Sequence, residues 1–325
     1  MATSIAVIIP ARNSARYIGE TLKSVLAQTR PADEIVLADG ASTDDTVRIA
    51  KSIAPGIKII SEPNAGAADG RNRALRLASS EWLAFMDSDD LWHPEKLRMQ
   101  SQLIEKAPEV EFLFSDVWQF RDEQVLSESF LATRPDYPKL PKHAVAPESY
   151  VFDTDMSVAL MHTNYVVTSS EAMVKRSAAL EVGGFDPTLR VCEDYDFWMR
   201  VLKGRKAGVV EMPLVGYRHH GESLSDDTES MLRGRLEVAT RVFANPERYP
   251  MGATAFFKQE KARRYAQLGR MELHRDQFSQ ARTHFWQSLR LAPKPSTAAL
   301  LSASLLGSRG RDTLLTIKRV LGKKG

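Results

Sequence analysis

The sequence predicts an α/β fold, a mostly parallel sheet flanked by helices, followed by an all-α C-terminal extension. Three observations carry this. Short unbroken apolar runs alternate with segments of helical period from the N-terminus to about residue 117. Each run has the length and composition of a strand buried on both faces, which is how parallel strands under helices read. Strand signals then fade beyond about residue 222, where only helical periods remain.

Taken in order, "IAVII" (5–9) is the first strand, and "NSARYIGETLKSVLAQT" follows with Ile18, Leu22, Val25 and Leu26 at helical spacing. Asn13 or Ser14 is the expected cap of that helix. "EIVLA" (34–38), "IKII" (57–60), "EWLAFM" (81–86) and "VEFLFS" (110–115) are the next strands. Between them lie helix-like "DTVRIAKSI" and "GRNRALRLA", and a helix opening at Pro94. Residues 121–163 hold prolines at 135, 138, 141 and 147 with no sustained period, so a long irregular loop of functional or mobile kind is expected. "YVVTSSEAMV" reads as a strand. In "GGFDPTLRVCEDYDFWMRVLKG" a Gly183-Gly184 turn precedes a helix with Phe197, Trp198, Val201 and Leu202 on one stripe, stopped by Gly204.

The expected division is residues 1–222, with halves 1–117 and 118–222, then a helical region 223–325. Within the latter, about 255–293 forms two amphipathic helices parted near Asp276. Leu268, Gly269, Ala281, Phe285 and Pro293 match the spacing of a tetratricopeptide hairpin, with Glu272 and Ser288 departing from it. Such a hairpin packs on the main domain or offers a surface to a protein partner or a second copy.

Composition narrows the function. A formal charge of +3 over 325 residues gives no reason to expect a nucleic-acid partner. The single cysteine, Cys192, excludes an internal disulfide and a cysteine-ligated metal site, and fits a reducing compartment. No apolar run approaches the ~20 residues of a spanning helix, and the first residues lack a basic leader, so a cytoplasmic protein is expected. The end of the chain, "LLGSRGRDTLLTIKRVLGKKG", reads as a basic amphipathic helix that packs on its own domain. Its alternative is peripheral contact with an anionic membrane.

The chemistry concentrates in acids. "FMDSDDLWHP" sets Asp87, Asp89 and Asp90 at the end of a buried strand, where their repulsion requires a cation among them. All-oxygen ligands suit Mg2+ or Mn2+, which keep positions for substrate phosphates. The plain alternative is that Asp89 or Asp90 caps the helix near Pro94. Asp39 ends the second strand, so it and the Asp87 cluster fall on one rim of a parallel sheet, where such folds bind ligands. A second acidic group, Glu193-Asp194-Tyr195-Asp196, opens a later helix, as caps favoured by the helix dipole or as catalytic acids. No G-x-G-x-x-G follows the first strand and no phosphate-loop motif occurs, which excludes dinucleotide oxidoreductases and phosphate-loop hydrolases.

Four stretches in order, "VIIPARNSARYIGETLKSVLAQT", "EIVLADGASTDDT", "EPNAGAADGRNRAL" and "WLAFMDSDDLWHPEKL", resemble the nucleotide-sugar half of inverting family 2 glycosyltransferases of the GT-A fold. "GGFDPTLRVCEDYDFWMRVL" and "YRHHGESLS" resemble the acceptor half, so the likeness spans about residues 4–225. The resemblance implies that Asp87-Ser88-Asp89 is the DxD motif, Asp87 beside the ribose and Asp89 holding Mn2+ or Mg2+ on the diphosphate. It implies that Asp39 contacts uracil, that Arg71 lies beside the base, and that Pro10 and Asn13, in the first-strand loop, frame the nucleotide. His220 falls near the diphosphate, as metal ligand or hydrogen-bond donor, or else is a surface histidine in a turn. Asp194 takes the place of the catalytic base, with Glu193, Gly184 and Trp198 near sugar or acceptor, although Trp198's stripe favours core packing.

Asp39-Gly40 stands where many relatives have two aspartates, and Ala41 where glycine is common. A UDP-sugar is the expected donor, with thymidine and guanosine nucleotides left open. The expected acceptor is a hydroxyl of a saccharide or lipid-linked glycan, in polysaccharide or glycoconjugate synthesis. The rival is an inactive sugar-nucleotide scaffold that recruits a partner through its helices, against which the retained Asp87, Asp89, Asp194, Arg71 and His220 argue.

Overall fold

The computed structural model describes residues 3–64, 66–221 and 227–311. The chain divides into two compact units, Met1–Ser223 with Arg248–Pro250, and Leu224–Glu247 with Met251–Gly325.

The first unit begins with β1 (Ile5–Ala11), α1 (Ile18–Leu26), β2 (Glu34–Asp39), α2 (Thr46–Ile53), β3 (Lys58–Ser61), α3 (Ala67–Leu77) and β4 (Trp82–Phe85). These strands pair in parallel in the order β3-β2-β1-β4, with Ile8 opposite Val36 on one side and Phe85 on the other. Every residue of β1 is buried, as its continuous apolar run requires. The first helix starts at Ile18 after Tyr17, with no side-chain cap. The expected caps are employed elsewhere: Asn13 Oδ1 accepts from Thr43 N–H in the loop after β2, and Ser14 Oγ lies against Ser88 Oγ after β4.

Beyond β4 come β5 (Leu91–Trp92), α4 (Lys96–Lys106), β6 (Val110–Arg121), β7 (Gln124–Ser127), β8 (Lys142–Ala146), β9 (Ser149–Phe152), α5 (Met156–His162), β10 (Met173–Lys175), α6 (Arg176–Glu181), α7 (Glu193–Leu202) and β11 (Lys206–Arg218). The sheet continues β4-β10-β6-β11-β9-β8, with β6 and β11 parallel and β10 antiparallel to both its neighbours. Residues 121–163 are therefore not one irregular loop. They hold the β8-β9 hairpin, which extends the sheet beside β11, and Asp155 caps α5 through the Ser157 amide. Prolines 141 and 147 fall just outside β8 and β9, where a missing N–H costs no ladder bond. Of "YVVTSSEAMV" only the end is strand; Ser169–Glu171 is a 3-10 turn closed by a capping box from Thr168 and Glu171.

The second unit contains α8 (Thr228–Ala244), α9 (Ala253–His274), α10 (Phe278–Leu291) and α11 (Pro295–Leu305). Helices α9 and α10 form the hairpin, Leu273, Ala281 and Phe285 its core. Gly269 lets the Phe285 ring approach the α9 backbone so closely that a Cβ there would lie 2.7 Å from it. Glu272, an odd residue at an apolar position, is buried against His284 (2.7 Å). Most of the basic C-terminal segment, 312–325, lies outside the described residues. No described helix is long and apolar enough to cross a membrane.

Candidate active site

Strands β1, β2 and β4 end side by side, and the segments leaving them build one rim. Gly40 N–H donates to Ala11 (2.8 Å), Asn13 N–H to the Ser42 hydroxyl (2.8 Å), and Thr43 N–H to Asn13 Oδ1 (2.9 Å). Asn13, Ala41 and Cys192 all hold left-handed backbone, φ +51°, +56° and +63°. Each costs about 1–2 kcal/mol for an L-residue, and such strain collects at functional sites. A glycine at position 41 would hold this backbone without that cost. Asp39, only 1% exposed, accepts from Ser42 N–H (3.1 Å), the Ser42 hydroxyl and Ser61 Oγ (2.6 Å), so its carboxylate braces these loops. Pro10 is not in the loop but buried in β1, against Gly70 of α3.

The three acids after β4 have three different fates. Asp87 meets Arg71 at 2.6 Å. Asp90 is fully buried and accepts from the hydroxyls of Thr168 (2.8 Å) and Ser170 (2.6 Å) and from Arg218 N–H (3.1 Å). Burial, then the charges of Asp89 and Asp87, push its carboxyl far up the pH scale. Asp89 Oδ2 meets His220 Nε2 at 2.8 Å, its side chain 31% exposed. Burial and the Asp87 charge raise its pKa against the pull of His220. Neither Asp89 nor Asp90 caps α4, whose first residue follows Glu95 without a side-chain cap. Ser88 Oγ lies 2.8 Å from Ser14 Oγ, joining this segment to the loop after β1.

Arg71 joins the two acidic groups. Its guanidinium, 5% exposed, holds Asp87 with one nitrogen and Glu193 Oε1 with another (2.8 Å), and lies 5.3 Å from the Phe185 ring centroid. Despite burial, these two carboxylates raise its pKa further. Asp194, next to Glu193, is partly exposed and its Oδ1 accepts from Tyr195 N–H (2.6 Å). Asp196 is a structural acid, buried between Arg200 (2.7 Å) and the Tyr249 hydroxyl. Cys192, in its left-handed turn, sets the start of α7 and hence the direction of Glu193 and Asp194.

Of the expected sugar-side residues, Trp198 is placed in the core and Gly184 packs on Asn72. Trp198 is 0% exposed, packed edge-on to Phe85, Phe112 and Phe185, so no ring face is open to a sugar. Gly184 (φ +72°) makes its close approach to Asn72, whose Oδ1 would be 2.3 Å from an added Cβ. Asn72 there accepts from Phe185 N–H and donates to Phe185 O, locking α3 to the turn before α7.

Sequence reasoning overlooked Thr168, Ser170, Tyr17 and Arg218. Arg218 donates to Asp89 O (2.8 Å) and Glu20 (2.7 Å) and lies 5.0 Å from the Tyr17 ring centroid. Tyr17 also stacks on His220, centroids 5.0 Å apart. Its one legible signal was the basic pair Arg218 and His220 within "YRHH". The hydroxyls had none, because they approach Asp90 across some 80 residues of chain.

Among the described residues no group of three or more His, Cys, Asp or Glu side chains is placed to hold a metal ion. Asp89 and His220 provide an oxygen and a nitrogen side by side, and His220 Nδ1 is buried with no hydrogen-bond partner among the described residues. Two donors suit Mn2+ or Mg2+, whose remaining positions go to water and phosphate oxygens.

Comparison with known proteins gives the family. Residues 6–183 match the family model Glycosyl transferase family 2. An Escherichia coli protein named UDP-Glc:alpha-D-GlcNAc-diphosphoundecaprenol beta-1,3-glucosyltransferase WfgD is 30% identical over 251 residues, 74% of this chain and 87% of that one. A Haemophilus influenzae protein named only as an uncharacterized glycosyltransferase is 27% identical over 199 residues, 61% of this chain; the alignment spans 62% of that relative's length. The crystal structure of S. aureus TarS in complex with UDP superposes with a TM-score of 0.63 at 18% identity, covering 99% of this chain and 92% of that one. With more than half of its residues matching the family model, and its acids gathered at the carboxyl ends of a GT-A-like sheet, the chain belongs to glycosyl transferase family 2 and is a glycosyltransferase.

Proposed function

We propose that this glycosyltransferase moves a sugar from a UDP-sugar, with the aid of Mn2+ or Mg2+, to a hydroxyl of a saccharide or lipid-linked glycan, inverting the anomeric centre. One observation carries the reading: Arg71 grips Asp87 and Glu193 at once, so the donor-side acids and the helix start bearing Asp194 share one rim. The E. coli relative's UDP-glucose donor and diphosphate-lipid acceptor, and the UDP in the TarS structure, support the choice of nucleotide and acceptor class.

The roles follow from the chemistry. Asp89 and His220 hold the cation, which when bound neutralises the charge growing on the leaving diphosphate. Asp194 takes the proton of the acceptor hydroxyl as its oxygen attacks the anomeric carbon; a positioned base contributes about 10²–10⁴ in rate. No second carboxylate is assigned to a nucleophilic role, so a single displacement with inversion is the reading. Asp39, Asn13 and Pro10 shape the nucleotide end of the cleft, Asp39 by fixing the loop rather than by an exposed carboxylate.

The test is Asp194→Asn assayed for UDP binding and for transfer. The variant keeps wild-type UDP affinity and metal-dependent thermal stabilisation while turnover falls about 10²–10⁴-fold. Undiminished turnover, or UDP stabilisation indifferent to Mn2+ and to Asp89→Asn, would reject the assignment.

A further inference from the structure

Helices α8 and α9 of the second unit enclose a groove of about 540 Å³ that is remote in sequence from every residue assigned above. The volume falls within the ~300–1,000 Å³ of small-molecule sites. Arg235 lines it from α8, and Arg264 and Arg270 from α9, over an apolar floor of Met231 and Met271. No carboxylate is among its lining residues.

Three guanidinium groups around one concavity repel one another. The two helices carry eight lysines and arginines against four glutamates. Glu229 is taken by Arg233 (2.7 Å) and Arg275 (2.6 Å), Glu272 is turned to His284, and Glu260 divides its oxygens between Arg263 and Arg264, both at 3.0 Å. Arg264 is four-fifths buried, held by Glu260 and by Gln267 Oε1 (3.0 Å), and its Nε is buried with no partner among the described residues. Burial, with the charges of Arg263 and Arg235, pushes its pKa down. Arg264 thus keeps one buried N–H without an acceptor beside its bond to Glu260; a guanidinium's planar fork matches phosphate oxygens, and the lining methionines accept an attached apolar chain.

We propose that this groove is a second ligand site, which binds phosphate or diphosphate groups through Arg235, Arg264 and Arg270. The phosphate is that of a free phosphorylated compound or of a lipid headgroup. The site stands on the geometry of the second unit and does not depend on the donor reading above.

The experiment uses the full chain in chelator, so that no divalent metal recruits pyrophosphate to the rim. Inorganic pyrophosphate is titrated calorimetrically into wild type, Asp89→Asn, and the double variant Arg235→Gln/Arg270→Gln. Cosedimentation with phosphatidylcholine vesicles, with and without phosphatidic acid, forms the second arm. Binding that persists in Asp89→Asn and weakens at least about tenfold in the double variant, the equivalent of 1.4 kcal/mol, supports the site. A loss confined to the vesicle arm assigns it to a headgroup, and a loss in the pyrophosphate arm to soluble phosphates. Arg264→Lys, which keeps charge but not the fork, weakens binding as well and guards against a misfolded double variant. Equal binding by wild type and both arginine variants in both arms overturns the proposal. So does displacement by polyglutamate where pyrophosphate has no effect, since that points to an acidic peptide instead.

Discussion

Arg71→Ala tests the link between the two acidic groups. In the folded protein one guanidinium, 5% exposed, compensates Asp87 (27% exposed) and Glu193 (12% exposed) at 2.6 and 2.8 Å. Removing one partner from a buried ionic cluster costs about 3–5 kcal/mol, because the remaining charges stay desolvated. Water reaches Asp87 more readily than Glu193, so the lower end, about 3 kcal/mol, is expected. Arg71→Lys keeps the charge but satisfies one carboxylate at a time, and about half that loss follows. Urea unfolding at constant slope measures both. If Arg71 also sets the distance between the donor-side and base-side acids, UDP affinity and turnover fall together, the first through Asp87 and the second through Asp194. A double-mutant cycle with Glu193→Ala gives a coupling of about 1 kcal/mol or more. Losses below about 1 kcal/mol for Arg71→Ala, or a lysine variant equal to wild type, would refute the strut.

Three further outcomes follow from groups away from the rim. Burial favours the protonated form of Glu34, yet bonds from Lys58, Ser80 and Ser79 prevail and hold its pKa at about 2. Its contribution is complete above the unfolded value near 4.5 and is lost as pH falls towards 2; after solvent screening, Glu34→Gln removes about 1–2 kcal/mol at pH 7 and flattens acid unfolding over that window. Burial pushes the Lys96 ammonium down to about 7, with the charge of Glu171 pulling the other way. Between pH 7 and 10 the unfolded chain binds more protons there, so stability rises with pH; denaturant midpoints of Lys96→Met lack that rise, and parallel pH profiles would contradict this account. In the second unit Gly269→Ala drives a methyl to 2.7 Å from the Phe285 ring, an overpacking of about 1–3 kcal/mol read as lost helical signal on heating, which Phe285→Leu partly relieves.

Much of the first half was legible because its signals are local. A strand under helices needs a continuous apolar run, and β1 to β4 showed one each. The carboxyl-end placement of Asp39 and Asp87 followed from the parallel connection alone. The second half was harder to read: the β8-β9 hairpin is built from "KHAVA" and "SYVF", strands of only five and four residues, and prolines around them masked the pairing. Trp198 was pulled towards the sugar by the company of "EDYDFW", while its period already placed it in the core.

The amino-acid order by itself determined which elements form, that acids end two of the parallel strands, and to which family the chain is similar. Only the tertiary structure decided what each acid does. Three aspartates within four positions are chemically alike, and they part company through contacts from far along the chain: Arg71 reaches Glu193 across 122 residues, Arg218 reaches Asp90 across 128, and His220 reaches Asp89 across 131. A carboxylate's charge state depends on burial and on the partners within hydrogen-bonding distance, and neither is a property of its neighbours in sequence.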